Sequence, residues 1–103
     1  MMNKNKVSEK SRIVELLRQY KNKSAYRNRI KELGLFGSYA KGNNSGRSDI
    51  DIFVKLVPAR MFDLISIKYE LEQLLGKKVD IITLRKSMNQ YLRNQILQKG
   101  IYV

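Results

Sequence analysis

The chain contains no cysteine, no histidine and no tryptophan among its 103 residues. The lack of cysteine excludes disulfides, thiolate metal sites and thiol nucleophiles. The lack of histidine removes imidazole ligands and the commonest general base of enzymes. Any catalysis by this chain must therefore use carboxylates, hydroxyls, lysine or arginine.

Acidic residues are also scarce. Nine Asp and Glu stand against 21 Lys and Arg, which gives a formal net charge of +12. Residues 1–36 alone hold ten of the basic residues and three of the acidic ones. This excess favours a polyanion, a nucleotide, an acidic protein or an anionic surface as partner, and charge alone does not choose among them. The basic N-terminal part fits a solvated helix face as well as a docking surface.

Long apolar runs are missing as well. No run approaches the roughly 18 residues that span a membrane, and the basic first 17 residues lack the apolar centre of a signal peptide. These features predict a cytoplasmic protein with no membrane partner. The length predicts a single domain over 1–103, and residues 1–7 are expected to be disordered.

Hydrophobic periodicity predicts the element order α-β-α-β-α-β-α. The predicted strands cover 31–36, 49–55 and 79–83. Four helices are predicted. The first starts after an N-cap at Ser8, and the second is a short turn at 38–41. The third runs from Met61 to a stop at Gly76, and the fourth runs from about Met88 to 99–100. Residues 21–28 either continue the first helix or break it. The fold class is therefore α/β or α+β, with a sheet covered by helices.

Three of the four aspartates fall inside predicted strands, where this residue is uncommon. Asp49 and Asp51 are two residues apart, so both side chains lie on one face of a strand. Two unpaired like charges repel, and a cation between them removes the repulsion. Two divalent ions about 3.5–4 Å apart are common in phosphoryl chemistry. Asp80 would join this face if its strand is a neighbour; alternatively, all three carboxylates face solvent and pair with Lys or Arg.

A second motif, Gly37-Ser38, ends a predicted strand and opens a helical turn. Free backbone N–H groups and a hydroxyl at such a point suit phosphate, and glycine permits close approach. A plain strand-to-helix cap explains the pair equally well. The spacing favours phosphate binding, because Gly-Ser ten residues before Asp-x-Asp occurs by chance in roughly one chain of this length in several hundred.

Three segments together resemble the minimal nucleotidyltransferases of the polymerase-beta-like superfamily. They are Gly37-Ser-Tyr-Ala-Lys-Gly42, Ser48-Asp-Ile-Asp-Ile-Phe-Val54 and Val79-Asp-Ile-Ile-Thr83, and the resemblance extends from about Glu32 to the C-terminus. It implies a small mixed sheet of three or four strands that carries the site on one face and helices on the other.

The resemblance also implies roles for single residues. Gly37 and Ser38 would hold the triphosphate of ATP, and Asp49 and Asp51 would bind two Mg²⁺ ions. Asp80 would bind the second ion or take the proton from the attacking hydroxyl. This chemistry needs neither histidine nor cysteine.

Lys41 stands where the family often has arginine, which keeps the charge but loses bidentate geometry. Ser48 and its neighbour Arg47 would help to orient phosphate, or would belong to a solvated loop.

Standalone chains of this size resemble the antitoxins of two-gene modules whose other half is a helical HEPN ribonuclease toxin. The resemblance implies a nucleotidyltransferase that transfers AMP to a tyrosine hydroxyl of the toxin within a hetero-oligomer. Two alternatives remain open. One is a non-catalytic module that neutralises its partner by contact. The other is a basic nucleic-acid-binding domain with stacked tyrosines, which no recognised binding motif supports.

Overall fold

The computed structural model describes residues 8–42 and 48–103. Within these ranges the chain forms four helices and four strands in the order α1 (Glu9–Lys23), β1 (Ile30–Phe36), α2 (Gly37–Lys41), β2 (Ile50–Leu56), α3 (Met61–Leu75), β3 (Val79–Thr83), α4 (Gln90–Lys99) and β4 (Ile101–Tyr102). The disorder predicted for 1–7 and the residue Arg47 lie outside the described residues. None of the described helices is long and apolar enough to cross a membrane.

The predicted elements agree with the structure to within about two residues at most ends. Ser8 caps α1, and its hydroxyl accepts a hydrogen bond of 3.1 Å from the backbone N–H of Ser11. Helix α1 ends at Lys23, which settles the ambiguity of residues 21–28. Gly76 ends α3 in the left-handed conformation, with φ of 72°. Strand β4 adds one element to the predicted order. It was not predicted because a two-residue strand is too short to show hydrophobic alternation.

The sheet has the strand order β3-β2-β1-β4. Strand β2 is antiparallel to β1 and parallel to β3, and β4 is antiparallel to β1. The mixed sheet implied by the family resemblance is thus confirmed, with β3 at one edge and β4 at the other. Phe36 faces Asp51 across β1 and β2, and Asp51 faces Asp80 across β2 and β3.

One face of the sheet packs against α1 and α3. Alternate residues of β2 enter this core, where Ile50, Ile52 and Val54 are fully buried. Ile67 and Leu71 of α3 are also fully buried in it. Because side chains alternate along a strand, the remaining residues of β2 are directed to the opposite face.

Helix α4 covers part of that opposite face, in addition to the helices that the family resemblance implies on the other one. Phe53 is two residues beyond Asp51 on the same face, and it is fully buried with Leu84 and Ile96. An aromatic ring of this size must be removed from water, and α4 supplies the cover. The aspartates therefore lie beside this second apolar cluster.

Candidate active site

Two aspartates face each other on neighbouring strands. Asp51 of β2 is paired in register with Asp80 of β3. In a parallel pair, facing residues point to the same side of the sheet, and neighbouring strands are about 4.8 Å apart. Asp49 lies just before β2 and is exposed, as is Asp80, whereas Asp51 is half-buried. The strands that carry Asp51 and Asp80 are neighbours, which is the condition under which Asp80 was expected to join the face of Asp49 and Asp51.

The electrostatic environment of Asp51 is unfavourable for its charge. Burial, followed by the charges of Asp80 and Asp49, raises the pKa of the Asp51 carboxyl. Each of these effects disfavours the ionised form. A cation placed among the three carboxylates would act in the opposite direction and favour ionisation.

The carboxylates of Asp49, Asp51 and Asp80 are chemically suitable ligands for a magnesium ion. Carboxylate oxygens are hard ligands of the kind that Mg²⁺ prefers, and Mg²⁺ commonly takes one or two of them together with substrate phosphates. In residues 8–42 and 48–103, no group of three acidic side chains is arranged so that one ion could be held by all of them. The fit therefore rests on donor type and on the mutual repulsion felt by Asp51.

Gly37 lies against the carboxylate of Asp51. It follows the last residue of β1 directly, with a left-handed φ of 74°. A Cβ atom at this position would collide with a carboxylate oxygen of Asp51. The left-handed backbone favours glycine here, and the lack of a side chain leaves the Asp51 carboxylate in its place.

Helix α2 is fixed by its buried side. Tyr39 and Ala40 enter the main core, while Ser38 is half-buried and Lys41 is exposed at the end of the helix. Gly42 closes the helix in the left-handed conformation. The hydroxyl of Tyr39 is buried and has no hydrogen-bond partner among the described residues.

The structure brings four of the predicted site residues together at one place on the sheet, namely Gly37, Asp49, Asp51 and Asp80. Lys41 forms no ion pair within the described ranges. Ser48 is half-buried next to Asp49.

The sequence did not predict a groove that opens beside Asp80. The groove has a volume of about 310 Å³, and its lining includes Met61, Ile65 and Lys68 of α3 together with Asp80, Thr83 and Arg85. The buried face of α3 is formed by Ile67, Leu71 and Leu75. A second set of apolar residues on the same helix was the available signal for an exposed surface.

A Gly-Ser turn that packs on a strand with paired aspartates, within a mixed sheet, is the arrangement expected of a nucleotidyltransferase. Residues 7–103 match the family described as "Polymerase beta, Nucleotidyltransferase", and the chain belongs to this family.

Relatives of this chain carry the name protein adenylyltransferase, among them the following two. One, from Methanocaldococcus jannaschii, is 40% identical over 97 residues, which cover 90% of this chain and 96% of the relative. The other, MntA of Thermococcus cleftensis, is 31% identical over 93 residues, covering 88% of this chain and 92% of the relative.

Solved structures agree with this family. A minimal nucleotidyltransferase has a TM-score of 0.70 at 27% identity, covering 94% of this chain and 97% of its own. A toxin–antitoxin with AMP-PNP has a TM-score of 0.66 at 26% identity, covering 90% and 70%. A complex of a tri-AMPylated Shewanella oneidensis HEPN toxin with its MNT antitoxin has a TM-score of 0.57 at 25% identity, covering 91% and 67%.

Proposed function

We propose that this chain is a protein adenylyltransferase that transfers AMP from ATP to a hydroxyl of a HEPN-type toxin, a tyrosine hydroxyl, and thereby acts as its antitoxin. The family, the names of the relatives and the tri-AMPylated toxin of the structural neighbour support this proposal. The observation that carries it is the facing pair Asp51 and Asp80 with Gly37 packed against Asp51. We further propose that residues 1–103 act as a single nucleotidyltransferase domain in the cytoplasm, where ATP is available.

Each residue of the site has a proposed role. Gly37 and Ser38 bind the triphosphate through backbone N–H groups and the serine hydroxyl. Asp49 and Asp51 hold two Mg²⁺ ions, which would stabilise charge on the phosphate oxygens when bound, and Asp80 accepts the proton of the attacking hydroxyl. The raised pKa of Asp51 supports this assignment, because ion binding relieves the repulsion among the carboxylates.

Lys41 and Ser48 lie between the Gly37-Ser38 motif and Asp49 in the sequence. We propose that the Lys41 ammonium attracts the triphosphate and that the Ser48 hydroxyl helps to orient it. Lysine is a compact point charge, so Lys41 would act by attraction and not by bidentate pairing.

The transfer forms one bond and breaks one. The acceptor hydroxyl oxygen bonds to the α-phosphorus of ATP, and the bond from that phosphorus to the pyrophosphate oxygen breaks. The hydroxyl proton leaves to a base, for which the exposed carboxylate of Asp80 is the proposed group. The products are the AMP ester of the acceptor and pyrophosphate.

Labelled ATP tests the proposal. The wild-type chain, incubated with Mg²⁺ and a HEPN-type toxin as acceptor, should label that protein. The double variant Asp49→Asn/Asp51→Asn should label it at least about 10³-fold more slowly, since metal ions supply several kcal/mol of transition-state stabilisation. Asp63→Asn is the matched control, because Asp63 lies outside the site and pairs with Arg29 at 2.8 Å.

The same reagents test neutralisation by contact, which the strongly basic composition favours. If the double variant binds the toxin and blocks its ribonuclease activity as well as the wild type does, contact alone is sufficient. If the wild type labels the toxin no better than the double variant, adenylyl transfer is wrong.

A further inference from the structure

We propose that the acceptor protein docks on the outer side of α3, beyond the edge strand β3. The docking surface consists of Met61, Phe62, Ile65 and Tyr69 and is here called the α3 surface. This inference rests on the proposed transfer to a protein hydroxyl. It adds the direction from which the acceptor enters and the chemistry of the segment that it presents.

The order of the strands fixes the direction of entry. Gly37 follows β1, Asp51 lies in β2, and Asp80 lies in β3, so Gly37 and Asp80 are on opposite sides of Asp51. In phosphoryl transfer the attacking and leaving oxygens are roughly in line through the phosphorus. If the triphosphate is held at Gly37, the acceptor oxygen must approach from the Asp80 side.

The Asp80 side is an edge of the sheet. Strand β3 pairs with β2 alone in the described sheet, and the groove of about 310 Å³ lies against β3 and α3. Met61 and Ile65 line this groove together with Asp80. At the sheet edge the α3 surface therefore meets the strand that carries the carboxylate we assign to the acceptor hydroxyl.

The α3 surface has the composition of a protein interface. Its four residues lie within an arc of about 100° on the helix at 3.6 residues per turn. All four are exposed, and Phe62 reaches 83% and Ile65 55% exposure. Contiguous exposed apolar residues beside a functional site mark an interaction surface. Aromatic residues and methionine are enriched at the centres of such interfaces.

Charge at the groove defines the complementary segment. Lys68 and Arg85 line the groove with Asp80, in a chain whose net charge is +12. An acceptor segment that carries an apolar anchor for α3 and an acidic side chain near its hydroxyl would complement this lining. A basic segment would be repelled by it.

A matched pair of double variants tests the inference. Phe62→Ala/Ile65→Ala removes the centre of the α3 surface. Tyr91→Ala/Leu97→Ala removes two residues of similar exposure from α4, where Tyr91 is 74% and Leu97 47% exposed. Phe62 and Tyr91 are each the second residue of their helix, which makes the two pairs comparable.

Two measurements use the whole chain and the HEPN-type acceptor protein of the proposed function. Affinity is measured by calorimetry with Asp51→Asn present in every variant, so that no transfer is needed. Transfer is measured as kcat and KM for the HEPN protein without that change. We expect the α3 pair to weaken affinity and to raise KM by about tenfold or more with kcat unchanged, whereas the α4 pair stays within about twofold of wild type.

The α3 assignment is overturned if the α3 pair binds as tightly as wild type, or if the α4 pair loses as much affinity. Thermal melting of each variant confirms that it is folded, and Phe62→Ala alone repeats the test with the least disturbance. If the wild type transfers no AMP at all, the proposed function fails, and the affinity comparison still decides the docking surface.

Discussion

The two faces of strand β2 differ in what they require of the sequence. Ile50, Ile52 and Val54 on one face are fully buried against α1 and α3. Asp51 on the other face is half-buried among like charges that raise its pKa. One face of the strand stabilises the fold. The other carries a carboxylate whose ionised form is disfavoured by burial and by neighbouring carboxylates. Functional sites commonly carry such a local conflict with stability.

The largest effect on stability is expected on the apolar face. Ile52→Ala should lower the free energy of unfolding by about 3 kcal/mol, because a fully buried large side chain leaves a cavity. Urea unfolding measures this. Lys55→Ala, on the same strand but exposed, should change stability by less than about 0.5 kcal/mol. Similar losses for the two variants would show that burial along β2 does not set its stability.

The next effect tests the contact between Gly37 and Asp51. Gly37→Ala should lower stability by about 1–2 kcal/mol from the left-handed backbone alone, and it should also displace the Asp51 carboxylate. Gly76→Ala is the control, since Gly76 has a similar φ of 72° and open space around its added Cβ.

Comparison of the two glycine variants separates the effect of the contact with the Asp51 carboxylate from the effect of the left-handed backbone. We expect similar losses in unfolding free energy from both, but a loss of transfer activity from Gly37→Ala only, measured with labelled ATP. Equal transfer activity in the two variants would show that the contact between Gly37 and Asp51 does not contribute to the activity of the site.

Sequence reasoning predicted the face that carries Asp49 and Asp51, because a period of two places them together whatever the rest of the fold does. It could not establish that Asp80 faces Asp51, because register between strands distant in sequence is set by packing. It also missed the covering of Phe53 by α4, since a buried aromatic two residues beyond Asp51 does not reveal which helix will shield it. The groove beside Asp80 likewise depends on how α3 lies against the sheet edge.

A smaller effect of opposite sign is expected on the charged face. In the absence of Mg²⁺, Asp51→Asn should raise the free energy of unfolding at pH 7 by up to about 1 kcal/mol, because repulsion from Asp80 and Asp49 is removed and solvent screens part of it. Asp63→Asn should act in the reverse direction, since Asp63 forms an ion pair with Arg29.

The pH dependence of this gain has a definite sign. Folding raises the pKa of Asp51 above its ordinary value of 3.8, so the folded chain binds the proton more tightly than the unfolded chain. The wild type therefore loses stability as pH rises from that ordinary value through the raised one. The advantage of Asp51→Asn should be absent below the ordinary value, grow through this window and stay constant above it. An advantage that grows as pH falls would contradict the assigned repulsion.

The smallest effect concerns two tyrosines with opposite hydrogen bonding. The Tyr39 hydroxyl is buried without a partner among the described residues, whereas the Tyr20 hydroxyl donates to Glu70 at 2.7 Å. An unpaired buried hydroxyl lowers stability, and its removal is neutral or favourable, while loss of a paired one is unfavourable. Tyr39→Phe should therefore raise the free energy of unfolding by about 0.5 kcal/mol, and Tyr20→Phe should lower it by a similar amount in the same urea titration, because the Tyr20 hydrogen bond is exposed. Because Tyr39 anchors the helix that begins at Gly37, a marked loss of stability in Tyr39→Phe would mean that its hydroxyl is bonded in solution and helps to hold the site.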